Sequence, residues 1–362
     1  MFSNGRVTYS GVNIDMNSLT PSPRARLRFI MAVLGLVWLA ATAGAALAPG
    51  QFQNPINNGP DPYMDFFDGN YYLTTTQGDC IRMWKSPTVG GLKTAVPVVI
   101  WRDAEPSRSR GIWAPEFHFI TNHWYVYYTA TSSDDQDENH RMHVLESAGT
   151  DPLGPYAYKG RLVNPVNDHY AIDGTVFQNP GDGRWYFVWA AHPGHVLTIA
   201  RLANPWTIEG IGTVIPAAGF GCSEVREGPQ ELSHGDWLFL FYSACDTGKP
   251  DYKLGLLMAG TNADLLNSAS WEQYPQPVFE RNDAAGVYGP GHNGFFRSPD
   301  GTEDWIVYHA KTVSRYTYKG RTTRVQKFNW DAGGLPDLGR PLPLSAILDE
   351  PSTGRAPVSP PK

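Results

Sequence analysis

The stretch Trp113-Ala114-Pro115-Glu116-Phe117-His118-Phe119-Ile120-Thr121-Asn122-His123-Trp124-Tyr125-Val126-Tyr127-Tyr128-Thr129 decides the reading of this chain, because both of its halves return elsewhere. Its second half is a turn feeding an aromatic, β-branched strand that runs out into small polar residues. The same phrase stands at Asp68-Gly69-Asn70-Tyr71-Tyr72-Leu73, Gly183-Arg184-Trp185-Tyr186-Phe187, Gly235-Asp236-Trp237-Leu238-Phe239 and Glu303-Asp304-Trp305-Ile306-Val307. Taking Tyr72, Tyr125, Tyr186, Leu238 and Ile306 as equivalent, the steps are 53, 61, 52 and 68 residues, a period that suits a four-stranded unit with uneven loops. Five such units packed radially predict an all-β fold, a five-bladed β-propeller with a central channel.

The first half of the stretch repeats as well. Upstream of each aromatic strand, a phrase bearing Gly or Pro presents one polar residue: Asp61 in Gly59-Pro60-Asp61-Pro62, Glu116, Asp173 in Ile172-Asp173-Gly174, Glu227 in Arg226-Glu227-Gly228-Pro229, and His292 in Gly289-Pro290-Gly291-His292. If these phrases form the innermost strands, the five side chains converge near one end of the channel. Taken alone, Asp61 before Pro62 reads equally well as a turn cap, and Asp173-Gly174 as a plain turn pair. Their shared register favours a site. Glu116 reads as a residue that holds the channel by hydrogen bonding, and Glu224 is the rival of Glu227.

Composition narrows what the site can serve. The chain has 362 residues, a formal charge of −6 and no basic block beyond its N-terminal arm, which argues against a nucleic-acid surface and for a neutral substrate. Its 12 Trp, 18 Tyr and 16 Phe exceed the needs of a core, so some should line a surface, and aromatic faces suit the C–H faces of sugars. Two opposed carboxyls are the minimum equipment for hydrolysing a glycosidic bond, one protonating the leaving oxygen while the other activates water or attacks carbon. A third acid beside them disfavours ionisation of its neighbour and keeps a general acid protonated.

In this order, Asp61-Pro62, Trp113-Ala114-Pro115-Glu116, Ile172-Asp173-Gly174, Glu227-Gly228-Pro229 and Gly289-Pro290-Gly291-His292-Asn293 resemble glycoside hydrolase family 43 from about Asn54 to Pro343. The resemblance implies a five-bladed propeller and hydrolysis with inversion. It implies Asp61 as general base, Glu227 as general acid and Asp173 as the residue that tunes and orients that acid. It also makes Trp113, Arg321 and His292 substrate contacts, with Arg324 the rival of Arg321 and a core position the rival reading of Trp113. No cofactor is required, although the family histidine often carries a calcium ion through its imidazole and water, which would make His292 an accessory metal site. The wording is most similar to extracellular arabinofuranosidases, so the implied activity is release of terminal L-arabinofuranose from arabinan or arabino-oligosaccharides. The alternatives are β-xylosidase or endo-arabinanase activity, or a non-catalytic sugar-binding propeller.

Around the propeller, expected over 49–345, the termini read differently. Residues 1–48 form an arm and an apolar run, Phe29 to Ala48, behind Arg24, Arg26 and Arg28. That pattern reads as an export signal, with an uncleaved anchor over 29–48 as the alternative. The expected product is a secreted monomer with an arabinose-containing glycan as its partner. Residues 346–362, rich in Pro and Ser, read as a disordered tail. Cys222 and Cys245 flank neighbouring strands and are candidates for a bridge, which would leave Cys80 free. The long last step of the repeat suggests that the loop around Asn282–Tyr288 covers the pocket.

Overall fold

The computed structural model describes residues 47–354 except 133, 135 and 167. The arm and most of the apolar run, together with 355–362, lie outside the described residues.

Five four-stranded antiparallel sheets follow one another along the chain, each with its strands in sequence order. Blade 1 runs Tyr63–Phe67, Asn70–Thr74, Ile81–Ser86 and Val98–Trp101; blade 2, Arg110–Ile120, His123–Thr131, Arg141–Ser147 and Tyr156–Arg161. Blade 3 comprises Ala171–Gln178, Trp185–Ala191, Val196–Asn204 and Thr207–Ile215. Blade 4 is Arg226–His234, Trp237–Ala244, Lys253–Gly260 and Glu272–Gln273, and blade 5 is Tyr288–Arg297, Asp304–Lys311, Thr322–Trp330 and Pro336–Asp337. The repeated aromatic phrase is thus the second strand of every blade, and the polar phrase lies at or just before the first.

The aromatic excess is spent between the blades. Five large apolar clusters each join two neighbouring sheets: Tyr72 and Met83 of blade 1 meet Phe117 and Trp124 of blade 2, and Tyr127 of blade 2 meets Phe187 and Trp189 of blade 3. The series continues between blades 3 and 4, 4 and 5, and 5 and 1. One sheet cannot bury its own aromatic face, so the blades fold as a ring. Truncating Trp124, only 1% exposed, would cost about 3–5 kcal/mol through the lost burial and the cavity left behind.

The ring is closed by its ends. Gln51–Phe52 pairs with Leu348–Asp349, and Asn54 exchanges two hydrogen bonds with the backbone of Val325 in blade 5 (2.8 and 2.9 Å). The Glu350 carboxylate accepts the N–H groups of Val89 and Gly90 (2.7 and 2.8 Å), tying the C-terminal segment to blade 1. The tail expected from 346 therefore belongs to the propeller as far as 354. Its Pro and Ser content carried no sign of this, because the contacts that order it come from residues about 300 positions away.

Candidate active site

The first strands reach the site through a shared backbone kink. Asp61, Ala114, Asp173 and His292 have left-handed φ angles of 53°, 41°, 56° and 47°, and Gly228 in blade 4 has 53°. In blades 2 to 5 the kink falls within a β-bulge of the inner strand, a device that re-aims side chains. For a non-glycine residue this conformation costs roughly 1–2 kcal/mol, so something must hold it.

The preceding blade does so in each case. Thr76 accepts the N–H of Ala114 (2.8 Å), Thr129 that of Asp173 (3.1 Å), Ser243 that of His292 (2.8 Å), and His309 Nδ1 that of Asp61 (3.2 Å). For Gly228 the acceptor is the Asp173 carboxylate itself, at 3.2 Å. A Cβ on Gly228 would stand 3.2 Å from the His292 ring, which explains the glycine after Glu227. In three of the five cases the acceptor is a Thr or Ser at or just past the end of the preceding blade's aromatic strand.

Asp61, Asp173, Glu227 and His292 line one cavity of about 490 Å³, joined by Trp113 and Arg321. All six residues expected at the site are therefore brought together. Glu116 is not: two residues past the kink of blade 2, it lies buried outside the cavity against His118 (3.0 Å) and Gln230. Five-fold convergence thus becomes four-fold, because in blade 2 the kinked residue is Ala114. Arg321 Nη1 lies 2.8 Å from Asp61 Oδ1. Arg324 is fully buried and turned to Thr322 and Ala310 instead. Trp113 faces the cavity and stacks on His140, with ring centroids 3.8 Å apart.

Asp61 and Glu227 are tuned in opposite directions. Burial pushes the Asp61 carboxyl up, but the charge of Arg321, with His292 behind it, outweighs it and holds it well below the usual carboxylate range. Burial pushes Glu227 up to about 7, opposed by the Tyr252 hydroxyl that donates to it (2.8 Å) and reinforced by the charge of Asp61. Asp173 is also raised, by burial first and then by the charges of Glu227 and Asp61. The Asp173–Glu227 pair therefore gives up its protons in two linked steps.

His309 and Tyr252 are the functional residues that the sequence reading missed. Burial lowers His309 to about 3, so the ring is neutral and Nδ1 can accept the Asp61 N–H while Nε2 faces Thr247 (3.2 Å). A signal existed: His309 occupies the end of an aromatic strand, where other blades carry Thr or Ser. Tyr252 announced itself in no way, being one Tyr among 18. The loop at Asn282–Tyr288 lends no side chain to the cavity, since Asn282 is bonded to Pro341 (2.9 Å). Asp246, Thr247 and Tyr318 line the mouth in its place. A disulfide joins Cys222 to Cys245 beside that mouth, and Cys80 is free and buried.

A calcium ion at His292 would rest largely on water rather than on side chains. Among the described residues no three His, Cys, Asp or Glu side chains gather in a metal-holding group. His292 Nδ1 instead faces Asp61 (3.5 Å) and Asp173 (3.8 Å). One imidazole is poor ligation for a cation that takes six to eight oxygens.

Comparison with known proteins agrees with this geometry. The family description "Glycosyl hydrolases family 43" matches residues 52–336. An extracellular exo-α-(1→5)-L-arabinofuranosidase of Streptomyces avermitilis is 39% identical over 345 residues, covering 88% of this chain and 71% of that protein. Its namesake from Streptomyces chartreusis is 37% identical, covering 80% and 92%. The crystal structure of an α-L-arabinofuranosidase from Lactobacillus brevis superposes with a TM-score of 0.75 at 32% identity, covering 82% of this chain and 98% of that one.

Proposed function

The chain belongs to glycosyl hydrolase family 43, and from that premise we propose that it removes terminal L-arabinofuranose from arabinan or arabino-oligosaccharides with inversion. The observation that carries the reading is the opposite tuning of two carboxyls on one cavity, Asp61 held ionised and Glu227 held protonated. Asp61 takes a proton from water, whose oxygen attacks the anomeric carbon. Glu227 gives its proton to the departing glycosidic oxygen, so one bond forms as the other breaks. Exchange of protons with solvent resets both groups. Asp173 and Glu227 lose their protons in linked steps, so like-charge repulsion opposes ionisation of both, and Asp173 fixes the kink beside the acid through Gly228.

Trp113 supplies an apolar wall for the furanose ring, and the Arg321 fork is placed to meet sugar hydroxyls as well as Asp61. No cofactor is needed, and a calcium ion held at His292 largely through water would be accessory to these steps. The apolar run at 29–48 and the extracellular naming of the relatives support secretion.

The test offers the domain from about Ala48 onward three substrates: aryl α-L-arabinofuranoside, aryl β-D-xyloside and linear arabinan. Arabinose from the first and third, released initially as the inverted anomer, is the expected result. Xylose release, longer arabinan fragments, or sugar binding without turnover would each replace the reading with a xylosidase, an endo-arabinanase or a binding propeller.

A further inference from the structure

Behind the cavity mouth lies a buried cation that the reaction itself does not use. Lys311, at the end of the second strand of blade 5, is fully buried. Its ammonium donates to four backbone carbonyls, those of Thr247 (3.1 Å), Gly248 (2.7 Å), Lys249 (3.0 Å) and Thr317 (3.2 Å). An ammonium has three N–H donors, so the four carbonyls take up all of them in place of water. Three acceptors belong to the loop after the second strand of blade 4, and the fourth to the loop after Lys311. Those loops carry Asp246, Thr247 and Tyr318 into the cavity wall.

The same loops touch elsewhere. Thr317 N–H donates to the Gly248 carbonyl (2.8 Å), and both Tyr316 and Tyr318 hydroxyls reach Asp246 Oδ2 (3.1 Å each). Arg321 bridges them through the Tyr318 carbonyl (3.1 Å) and the Thr247 hydroxyl (3.4 Å) while holding Asp61. These contacts are part-buried or exposed. The Lys311 side chain, itself fully buried, joins the two loops beneath them.

We propose that Lys311 is a positioning residue: its buried ammonium clasps the 246–249 and 312–320 loops together and so builds the cavity wall that receives the arabinofuranosyl substrate. The inference rests on the cavity being the sugar site proposed above. The charged groups that act on Lys311 are Arg321, Asp246 and Asp251, and the loops that supply its carbonyl partners also carry Lys249, Tyr316 and Tyr318. Burial, with Arg321 adding to it, lowers the lysine to about 8. Losing a proton there removes one N–H donor and the charge that four carbonyl dipoles surround.

The experiment pairs Lys311→Met, which keeps the stem and removes the donors, with amide hydrogen exchange on the unaltered protein. For Lys311→Met, KM on aryl α-L-arabinofuranoside should rise about tenfold while kcat changes by less than about threefold, as expected when bonds to a charged group are lost. Exchange should quicken over 246–249 and 312–320 and not in the blade strands. In the unaltered protein, raising the pH from 7 to 9.5 should quicken the same two segments, beyond the intrinsic pH effect. An unchanged KM in a folded variant, or loops as protected at pH 9.5 as at pH 7, overturns the proposal. Should the variant fail to fold, or no arabinofuranoside be turned over, the exchange measurement on the unaltered protein still decides.

Discussion

Asp61 and Asp173 hold equivalent places in blades 1 and 3. Both are kinked into the left-handed region, both are buried, and both give their N–H to the preceding blade. Their carboxyls nevertheless move in opposite directions, Asp61 far down beside Arg321 and two imidazoles, Asp173 up beside Glu227 and Asp61. The repeat fixes where a side chain stands and how it is aimed. Which proton state it adopts is set by the groups that other blades bring against it.

The sharpest way to break this contrast is Asp61→Asn. An amide cannot take a proton from water, so kcat should fall by about 10³–10⁴-fold, on aryl and natural substrates alike. A loss below tenfold would remove Asp61 from the chemistry. Less severe is Asp173→Asn, which keeps the shape and removes one of the two carboxyls whose proton losses are linked. The proposed mechanism needs Asp61 ionised and Glu227 protonated, so activity should fall as pH rises through about 7. In the Asp173→Asn variant that alkaline limb should move to lower pH, with a loss at neutral pH of about 10–100-fold. A limb that stays in place would leave Asp173 as an orienting residue alone.

The smallest effect is expected from Tyr252→Phe. The Tyr252 hydroxyl donates to Glu227 and favours its ionised form. Removing it should move the alkaline limb upward by less than about one pH unit, with kcat below pH 6 changed by no more than about threefold. A downward move would mean that the hydroxyl serves the protonated acid. A pH–rate profile of the variant beside the parent decides.

Much of this was legible in the chain. The aromatic phrase announced itself because every blade must bury the same face against its neighbour, which forces the same residues to recur. The acids were legible because the kink needs Gly and Pro nearby, and those residues mark the sequence. Glu116 shows the limit: it satisfies the motif, yet the kink of blade 2 falls on Ala114, two residues earlier, so its carboxyl never enters the cavity. The mouth was misplaced for a related reason. Loop length pointed to 282–288, whereas the direction of the flanking strands brought 246–249 and 312–320 over the cavity. Tyr252 and Lys311 sit in aromatic or apolar surroundings where nothing local sets them apart from core residues, and His309 was marked only by its place at the end of an aromatic strand.

The five-fold repeat, the acids of blades 1, 3 and 4 and the kind of chemistry that three acids can perform were written in the chain, because short-range backbone demands and repeated burial write themselves into neighbouring positions. Only the tertiary structure decided that Arg321 rather than Arg324 holds Asp61, that Tyr252 binds Glu227, and that the C-terminal segment closes the ring. Each of those outcomes depends on distances between residues far apart in the chain. Charge interaction and hydrogen bonding act through space over a few ångströms, and separation along the chain does not report that distance.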